Sequence, residues 1–310
     1  MILAAGMSPA WQQILEFDAV HVGRVNRARQ ATWCASGKVL NVGRALHLLG
    51  AKSRTLCAIG GASGDSIRNE FQSAGIPASW IDAGAATRVC TTVLDRSTAE
   101  TTELVENAAP CQGDAFDRFA SAFASEAGTA TLIVVTGSFP QNAPDGFVRR
   151  QLSSSRTPVL LDIRGAELLQ VLDLAPFLIK PNRHELAETV GRELSDDDDL
   201  LSAMREMNRR GATWVVISDG GRALWASSRD EAWRLEPPKV SVLNPIGCGD
   251  CLTAGIADAV ARGERFVDAL RWGIAVAAAN AEQLIPAQFD VARANELFES
   301  VDAQAATRTL

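Results

Sequence analysis

Histidine is scarce in this chain, and the three present, His21, His47 and His184, lie far apart. No HExxH segment occurs, and Cys248 and Cys251 form a single CxxC without a second pair, so a histidine-based metal centre, a Ser/His/Asp triad and a zinc or redox protein all lack material. Six cysteines in 310 residues are too few for a disulfide framework, and reduced thiols are expected. No GxGxxG occurs, which leaves a Rossmann dinucleotide site without support. A Walker loop is missing too, because Thr32 stands where its first glycine belongs and Val39 follows Lys38. No apolar run approaches the roughly 18 residues of a membrane span, so no membrane partner is expected. The apolar start Met1–Ala10 is short for a signal peptide and has no basic leader, which makes the expected location cytoplasmic. Basic residues are outnumbered by acidic ones, 30 to 37. The resulting net charge of −7 disfavours nucleic acid as a partner yet leaves room for a small basic pocket.

What remains is the composition of a soluble globular chain, 47% hydrophobic and 22% charged. No repeat, low-complexity tract or proline-rich linker divides it, so residues 1–310 are read as a single domain. A helical stretch over Lys38–Leu49 stops at Gly50, Ser53–Ile59 reads as a strand, and Asp65–Ala74 reads as a helix before Gly75. Further strands are expected at Thr131–Thr136, Val159–Asp162, Phe177–Ile179 and Thr213–Ser218, with helices after Pro144 and from Arg183. Apolar, β-branched runs separated by helices predict an α/β fold with a mostly parallel sheet covered on both faces and ligands at its carboxyl edge. Residues 11–34 and 86–106 break this rhythm: Ile14–Val20 and Val89–Leu94 alternate with no helix between. They are expected to form a small β-sheet outside the main one, either a lid over a ligand and a face for a second subunit, or a plain surface hairpin. Beyond residue 249 the chain is expected to be wholly helical, over Asp250–Ala261, Arg265–Gln283 and Val291–Ser300.

Four patches carry chemistry. In Asn244–Gly255 (NPIGCGDCLTAG), Gly247 and Gly249 free consecutive N–H groups ahead of a helix whose N-terminus is electropositive, which makes an anion hole. Asp250 at its mouth can take a proton from a hydroxyl that attacks a phosphoryl group; equally, it can cap the helix. The helix N-terminus favours thiolate at Cys248 and Cys251, whereas Asp250 opposes it. In Ser36–Leu49 (SGKVLNVGRALHLL), Lys38 and Asn41 sit on a first helical turn, as ligands for a sugar and a phosphate or as a solvated helix start. In Lys180–Leu194 (KPNRHELAETVGREL), Asn182 and Glu185 either form an ordinary capping box or hold the water shell of a nucleotide-borne Mg²⁺. The acidic run Asp196–Asp199 reads as a solvated helix start capped by Ser195. Finally, the strand ends TGSFP (Thr136–Pro140) and VISDGG (Val216–Gly221) bring small polar residues to the ligand edge of the sheet.

In this order and spacing the patches, with the opening MILAAGMSPA, the segment Val22–Gly50 and the stretch TRVCTTVLDRSTAETTELVE (Thr87–Glu106), resemble the ribokinase-like carbohydrate kinase family, also called the phosphofructokinase-B family. They look most like its phosphosugar branch of 1-phosphofructokinases, tagatose-6-phosphate kinases and the minor 6-phosphofructokinase. The resemblance implies a ribokinase-like fold with a β-sheet lid and an ATP- and Mg²⁺-dependent kinase acting on a phosphorylated ketohexose. It implies Asp250 as general base, with the backbone around Gly247, Cys248 and Gly249 as the anion hole. Asn182 and Glu185 would serve the Mg·ATP phosphates without direct metal ligation, Ser218 and Gly220 would border the nucleotide, and Asn280 would lie near the adenine. Gly37, Asn41 and Ser138 match sugar-contacting positions, and Lys38 and Arg88 match binders of the substrate's phosphate. Arg24 and Arg27 in the lid are further candidates, and the lid would also form a homodimer interface.

The departures fall on the acceptor side. Gln12 stands where the family usually has an aspartate, and Ser36 replaces the first glycine of a Gly-Gly pair. Glutamine both donates and accepts, whereas a carboxylate only accepts from hydroxyls. Two rivals follow: a kinase of an unphosphorylated sugar or nucleoside, opposed by Lys38 and Arg88, and a catalytically weak phosphosugar-binding regulator.

Overall fold

The chain begins with an apolar strand, β1 (Ile2–Gly6), and every residue of it is buried. Its side chains alternate between two cores, Ile2 and Ala4 facing one and Leu3 and Ala5 the other, as a strand covered on both faces requires. The computed structural model, which describes residues 1–306, extends this pattern over the central strands of the main sheet. After β2 (Ala10–Phe17) and β3 (Gln30–Ser36) come α1 (Lys38–Leu48), β4 (Ser53–Ile59), α2 (Gly61–Ser73) and β5 (Ala78–Asp82). The strands β6 (Val89–Asp95) and β7 (Glu100–Val105) are followed by α3 (Ala115–Ala127), β8 (Leu132–Thr136), α4 (Phe147–Leu152), β9 (Val159–Asp162) and α5 (Gly165–Leu169). Next are β10 (Leu178–Ile179), α6 (Arg183–Val190), α7 (Asp197–Arg210), β11 (Trp214–Ile217), β12 (Leu224–Ser227) and β13 (Ala232–Glu236). The chain closes with α8 (Cys248–Ala261), α9 (Phe266–Ala281), α10 (Val291–Phe298) and β14 (Asp302–Ala305).

Among the described residues ten strands form the main sheet in the order β14-β13-β12-β11-β10-β9-β8-β1-β4-β5. Pairing is parallel from β5 to β11 and antiparallel from β11 through β14. On one face α1, α8, α9 and α10 bury Val42, Leu46, Leu252, Ile256, Ile274 and Leu297; on the other α3, α4 and α7 bury Phe119, Phe123, Phe147, Met204 and Met207. The α8–α9 contact is unusually close because both helices present small residues. A Cβ built on Gly255 would stand 2.8 Å from the Gly273 Cα.

Several expectations are corrected. The chain after residue 249 is not wholly helical, since β14 pairs with β13 at the sheet edge. Its sequence, Asp-Ala-Gln-Ala, is too polar to announce a strand; the edge partner supplies the order. The strand read at Ile14–Val20 is Ala10–Phe17, and the helix read from Asp65 starts at Gly61. Asp196, not Ser195, caps α7, its side chain accepting from the Asp199 N–H at 2.8 Å. Gly50 and Gly75 do follow helix ends in the left-handed conformation.

The two irregular segments make a separate four-stranded sheet in the order β3-β2-β6-β7. Its two antiparallel pairs are joined by a parallel pairing of β2 with β6, so it is one sheet and not a set of loose hairpins. Ile14, Cys34 and Leu94 on its inner face pack with Leu284 and Ile285 of the main body. The inner face therefore lies against the carboxyl edge of the main sheet.

Because the Gly255–Gly273 approach is backbone to backbone, Gly255→Ala is expected to lower unfolding stability by about 1–3 kcal/mol, the usual cost of overpacking. Urea unfolding midpoints of the two proteins check this.

Candidate active site

The turn Pro245–Gly247 feeds α8, and Gly247 is its N-cap with φ +81, a left-handed conformation that favours glycine. A Cβ there would also stand 3.0 Å from Pro286 Cβ. No side chain caps the helix. Cys248 donates its N–H to the Pro245 carbonyl at 3.3 Å, while the first-turn N–H groups of Gly249 and Asp250 have no carbonyl one turn back in the helix. Asp250 thus stands inside the first turn and is not the cap. Its Oδ2 accepts a hydrogen bond from Asn41 Nδ2 at 2.7 Å, and Asn41 Oδ1 accepts one from Ser36 Oγ at 3.3 Å.

The centre of the site is a buried charge cluster. Asp162 closes β9 at the sheet's carboxyl edge, with Lys38 Nζ 2.8 Å and Lys180 Nζ 3.3 Å from its two oxygens. Thr253 Oγ1 donates to it at 3.2 Å, and Lys38 also reaches Glu185 Oε1 at 3.4 Å. Burial works against the Asp162 carboxylate, yet Lys180 and Lys38 together hold it below the usual range. Burial likewise opposes the Lys38 charge, and Asp162, Glu185 and Asp250 override it and raise its pKa. Asp250 goes the other way: burial first and Asp162 second push it up to about 7, against Lys38, Asn41 and Lys180. A carboxyl poised there can exchange a proton near neutrality.

A cleft of about 350 Å³ opens over this cluster, and a second cavity of about 550 Å³ adjoins it; both are lined by Lys38, Arg88, Glu103 and Asp162. Gln12, Ser36, Gly37, Asn41, Asn182, Glu185, Ser218, Gly247, Gly249 and Asp250 all line the first. Ser138 lines the second, its hydroxyl 3.2 Å from that of Ser8. Asn182 and Glu185 form the capping box, each side chain accepting from the other's backbone N–H, at 2.7 and 3.0 Å. That uses Glu185 Oε2 and leaves Oε1 turned to Lys38. Two hard carboxylate oxygens already balance one cation there, a donor set that suits Mg²⁺ carried on phosphates. Among the described residues no group of three or more His, Cys, Asp or Glu could hold a metal ion by itself.

Other expected residues have further partners in the protein or lie outside the two cavities. Asn280 is buried and spends its amide on the loop, donating to Ile246 O and Cys248 Sγ at 3.0 and 3.3 Å and accepting from Ala287 N–H at 2.6 Å, so it braces the anion-hole turn. Gly220 lies two residues beyond Ser218 and does not line the cleft. Arg24 and Arg27 are exposed in the β2–β3 loop and line neither cavity. Arg88 donates to the carbonyls of Ser8, Pro9 and Glu106 at 3.1, 3.2 and 3.0 Å, fastening the lid to the β1–β2 turn. The thiol expectation is also corrected: burial pushes Cys248 up to about 11 despite the Asn280 hydrogen bond, and Cys251 is raised by burial as well. The helix N-terminus does not offset the lost solvation.

Sequence reasoning did not single out Asp162, Lys180 or Glu103. A charged residue ending a buried strand was the available signal for Asp162. Glu103 sits on the lid's inner face opposite Thr92, its pKa raised by burial against the pull of Arg88.

If Asp250 must be ionised to accept a proton, activity falls as pH drops through about 7. Asp162→Asn removes the negative neighbour that disfavours this ionisation, so the acid limb of kcat/KM is expected to move to lower pH, whatever the loss in rate. A pH–rate profile of both proteins checks the shift; an unmoved limb would uncouple the two carboxylates.

The family model described as pfkB family carbohydrate kinase matches residues 11–287. A Thermotoga maritima structure described as a possible 1-phosphofructokinase superposes with a TM-score of 0.90 at 18% identity, over 99% of each chain. Phosphofructokinase-2 from Escherichia coli in complex with fructose-6-phosphate gives a TM-score of 0.86 at 21% identity, over 97% of this chain and 99% of that one. At such identities these likenesses speak for the fold, and the family match covers most of the chain: it belongs to the pfkB family of carbohydrate kinases, with the ribokinase-like architecture.

Proposed function

We propose that this kinase transfers the γ-phosphoryl group of ATP to a hydroxyl of a phosphorylated ketohexose in the cytoplasm, with fructose 1-phosphate, tagatose 6-phosphate and fructose 6-phosphate as the leading acceptors. The observation that carries the reading is the buried Asp250 carboxyl, pushed up to about 7, beside the uncapped N–H groups that start α8. Asn41 fixes one carboxylate oxygen, and the other takes the proton of the attacking hydroxyl. The N–H groups of Gly249 and Asp250 receive the charge of the transferred group, so no covalent enzyme intermediate is needed. Ser218, Asn182 and Glu185 border the nucleotide. Bound Mg²⁺ would neutralise phosphate charge, held toward Glu185, Asn182 and Asp162.

Support for a phosphorylated acceptor comes from the cations around the two cavities and from the fructose-6-phosphate complex of the E. coli relative. A second reading, an unphosphorylated sugar or nucleoside, is favoured by one observation: Lys38 and Arg88 already have protein partners. A coupled ADP-release screen over phosphorylated and free sugars separates them, with turnover of at least one ketohexose phosphate expected. The lid's exposed Trp33 and Leu104, at 44 and 58% exposure, suit a second copy of the chain, which would make the enzyme a homodimer.

Asp250→Asn is expected to lower kcat by roughly 10²- to 10⁴-fold with little change in ATP affinity, since it removes the proton acceptor and spares the anion hole. Near-wild-type turnover in this variant would remove Asp250 from the reaction.

A further inference from the structure

Among the described residues the cavities are lined by four cationic side chains, Lys38, Arg88, Lys180 and Arg164, and their commitments differ. Lys180 is buried against Asp162, and Lys38 is shared by Asp162 and Glu185. Three N–H groups of Arg88 go to backbone carbonyls, so its plane is fixed by the lid and the β1–β2 turn. Arg164 is different. Among the described residues its one ion-pair contact, to Glu188, is 3.6 Å long, both side chains are more than half exposed, and Glu188 also faces His184 at 3.3 Å. Redirecting the Arg164 guanidinium therefore costs little.

Its place in the fold is equally specific. Arg164 lies just beyond β9, and the Asp162 carbonyl accepts from the Gly137 N–H at 3.1 Å, which ties the ends of β8 and β9 together. Arg164 thus shares the second cavity with Ser138 and Ser8, whose hydroxyls stand 3.2 Å apart. Asp250 lines only the first cavity and Arg164 only the second, while Lys38, Arg88 and Asp162 line both. A single acceptor lying across the two would present a hydroxyl to Asp250 and its far end to Arg164. Glu103, Asp162, Glu167 and Glu185 line the second cavity against Lys38, Arg88 and Arg164, so an anionic far end needs the loosely held Arg164 guanidinium to offset them.

We infer that Arg164, with the hydroxyls of Ser8 and Ser138, holds the phosphate of the acceptor and so selects phosphorylated over free sugars; this rests on the phosphosugar reading. Steady-state kinetics of wild type, Arg164→Gln and Arg164→Lys, on the ketohexose phosphate the screen identifies and on its unphosphorylated counterpart, test it. Arg164→Gln is expected to raise KM for the phosphosugar about 10- to 100-fold, the size of a lost charge-assisted hydrogen bond. ATP KM and kcat should stay within about twofold, with no change on the free sugar and partial recovery in Arg164→Lys. Thermal melting of each variant separates a lost contact from a lost fold. If wild type uses the phosphosugar and Arg164→Gln leaves its KM unchanged, or raises the ATP KM instead, the assignment of Arg164 is wrong and the phosphosugar reading stands. If wild type turns over free sugars alone, both fall together.

Discussion

The Asp162 carboxylate is the point on which the site depends. It is buried at the end of β9, and its two oxygens are taken by lysines from two different elements, Lys38 at the start of α1 and Lys180 just after β10, with Thr253 of α8 on one of them. A buried carboxylate without such partners would be protonated or would destabilise the fold. Satisfied in this way, it fixes the relative positions of three segments that carry the chemistry: the turn into α1, the KPN turn into α6, and the first turns of α8. The same negative charge then acts on Asp250, whose proton it helps to retain.

That arrangement sets function against stability. Asp250 has a folded value of about 7 against an ordinary 3.8, so between those values the folded chain holds a proton that the unfolded chain has released. Stability contributed by this group therefore declines as pH rises through that window and levels off above it. The form that accepts a proton is the less stable one. The surrounding structure makes this tolerable: Asn41 donates to the carboxylate, Asn280 braces the turn before it, and the Gly255–Gly273 contact seats α8 against α9.

The sequence was most legible where chemistry and local geometry coincide within a few residues. The glycine turn into Asp250 and the Lys180–Glu185 segment needed no distant partner to be noticed, and the central strands of the sheet announced themselves by continuous apolar runs such as Leu132–Thr136. The Asn182–Glu185 spacing carried two readings, and the capping box is present with one Glu185 oxygen to spare, so local capping and a charge facing the cleft coexist. Where order comes from afar, the sequence was mute. The polar strand β14 exists because β13 offers an edge, and Asp162 acquires its meaning from Lys38, 124 positions away. Arg88 and Asn280 were legible as polar groups near the site, but not as groups whose hydrogen bonds go to backbone carbonyls.

The neutral residue at position 12 fits the same electrostatics. Glu103, Asp162, Glu185 and Asp250 already face the first cleft against Lys38, Arg88 and Lys180, so the carboxylates outnumber the cations there. A fifth carboxylate at position 12 would be almost fully buried, as Gln12 is at 3% exposure, and would further disfavour ionisation of Asp250. Gln12 avoids that repulsion while keeping hydrogen-bonding capacity: its Nε2 donates to the buried Thr92 hydroxyl at 2.7 Å, which anchors the amide to β6 and leaves its carbonyl oxygen as an acceptor. The pocket thus retains one of the two functions of an aspartate, accepting from a hydroxyl, and gives up the other, its charge. An acceptor whose negative group is held elsewhere in the cleft loses nothing by that exchange, because a carboxylate at position 12 would repel its anion as well as the base.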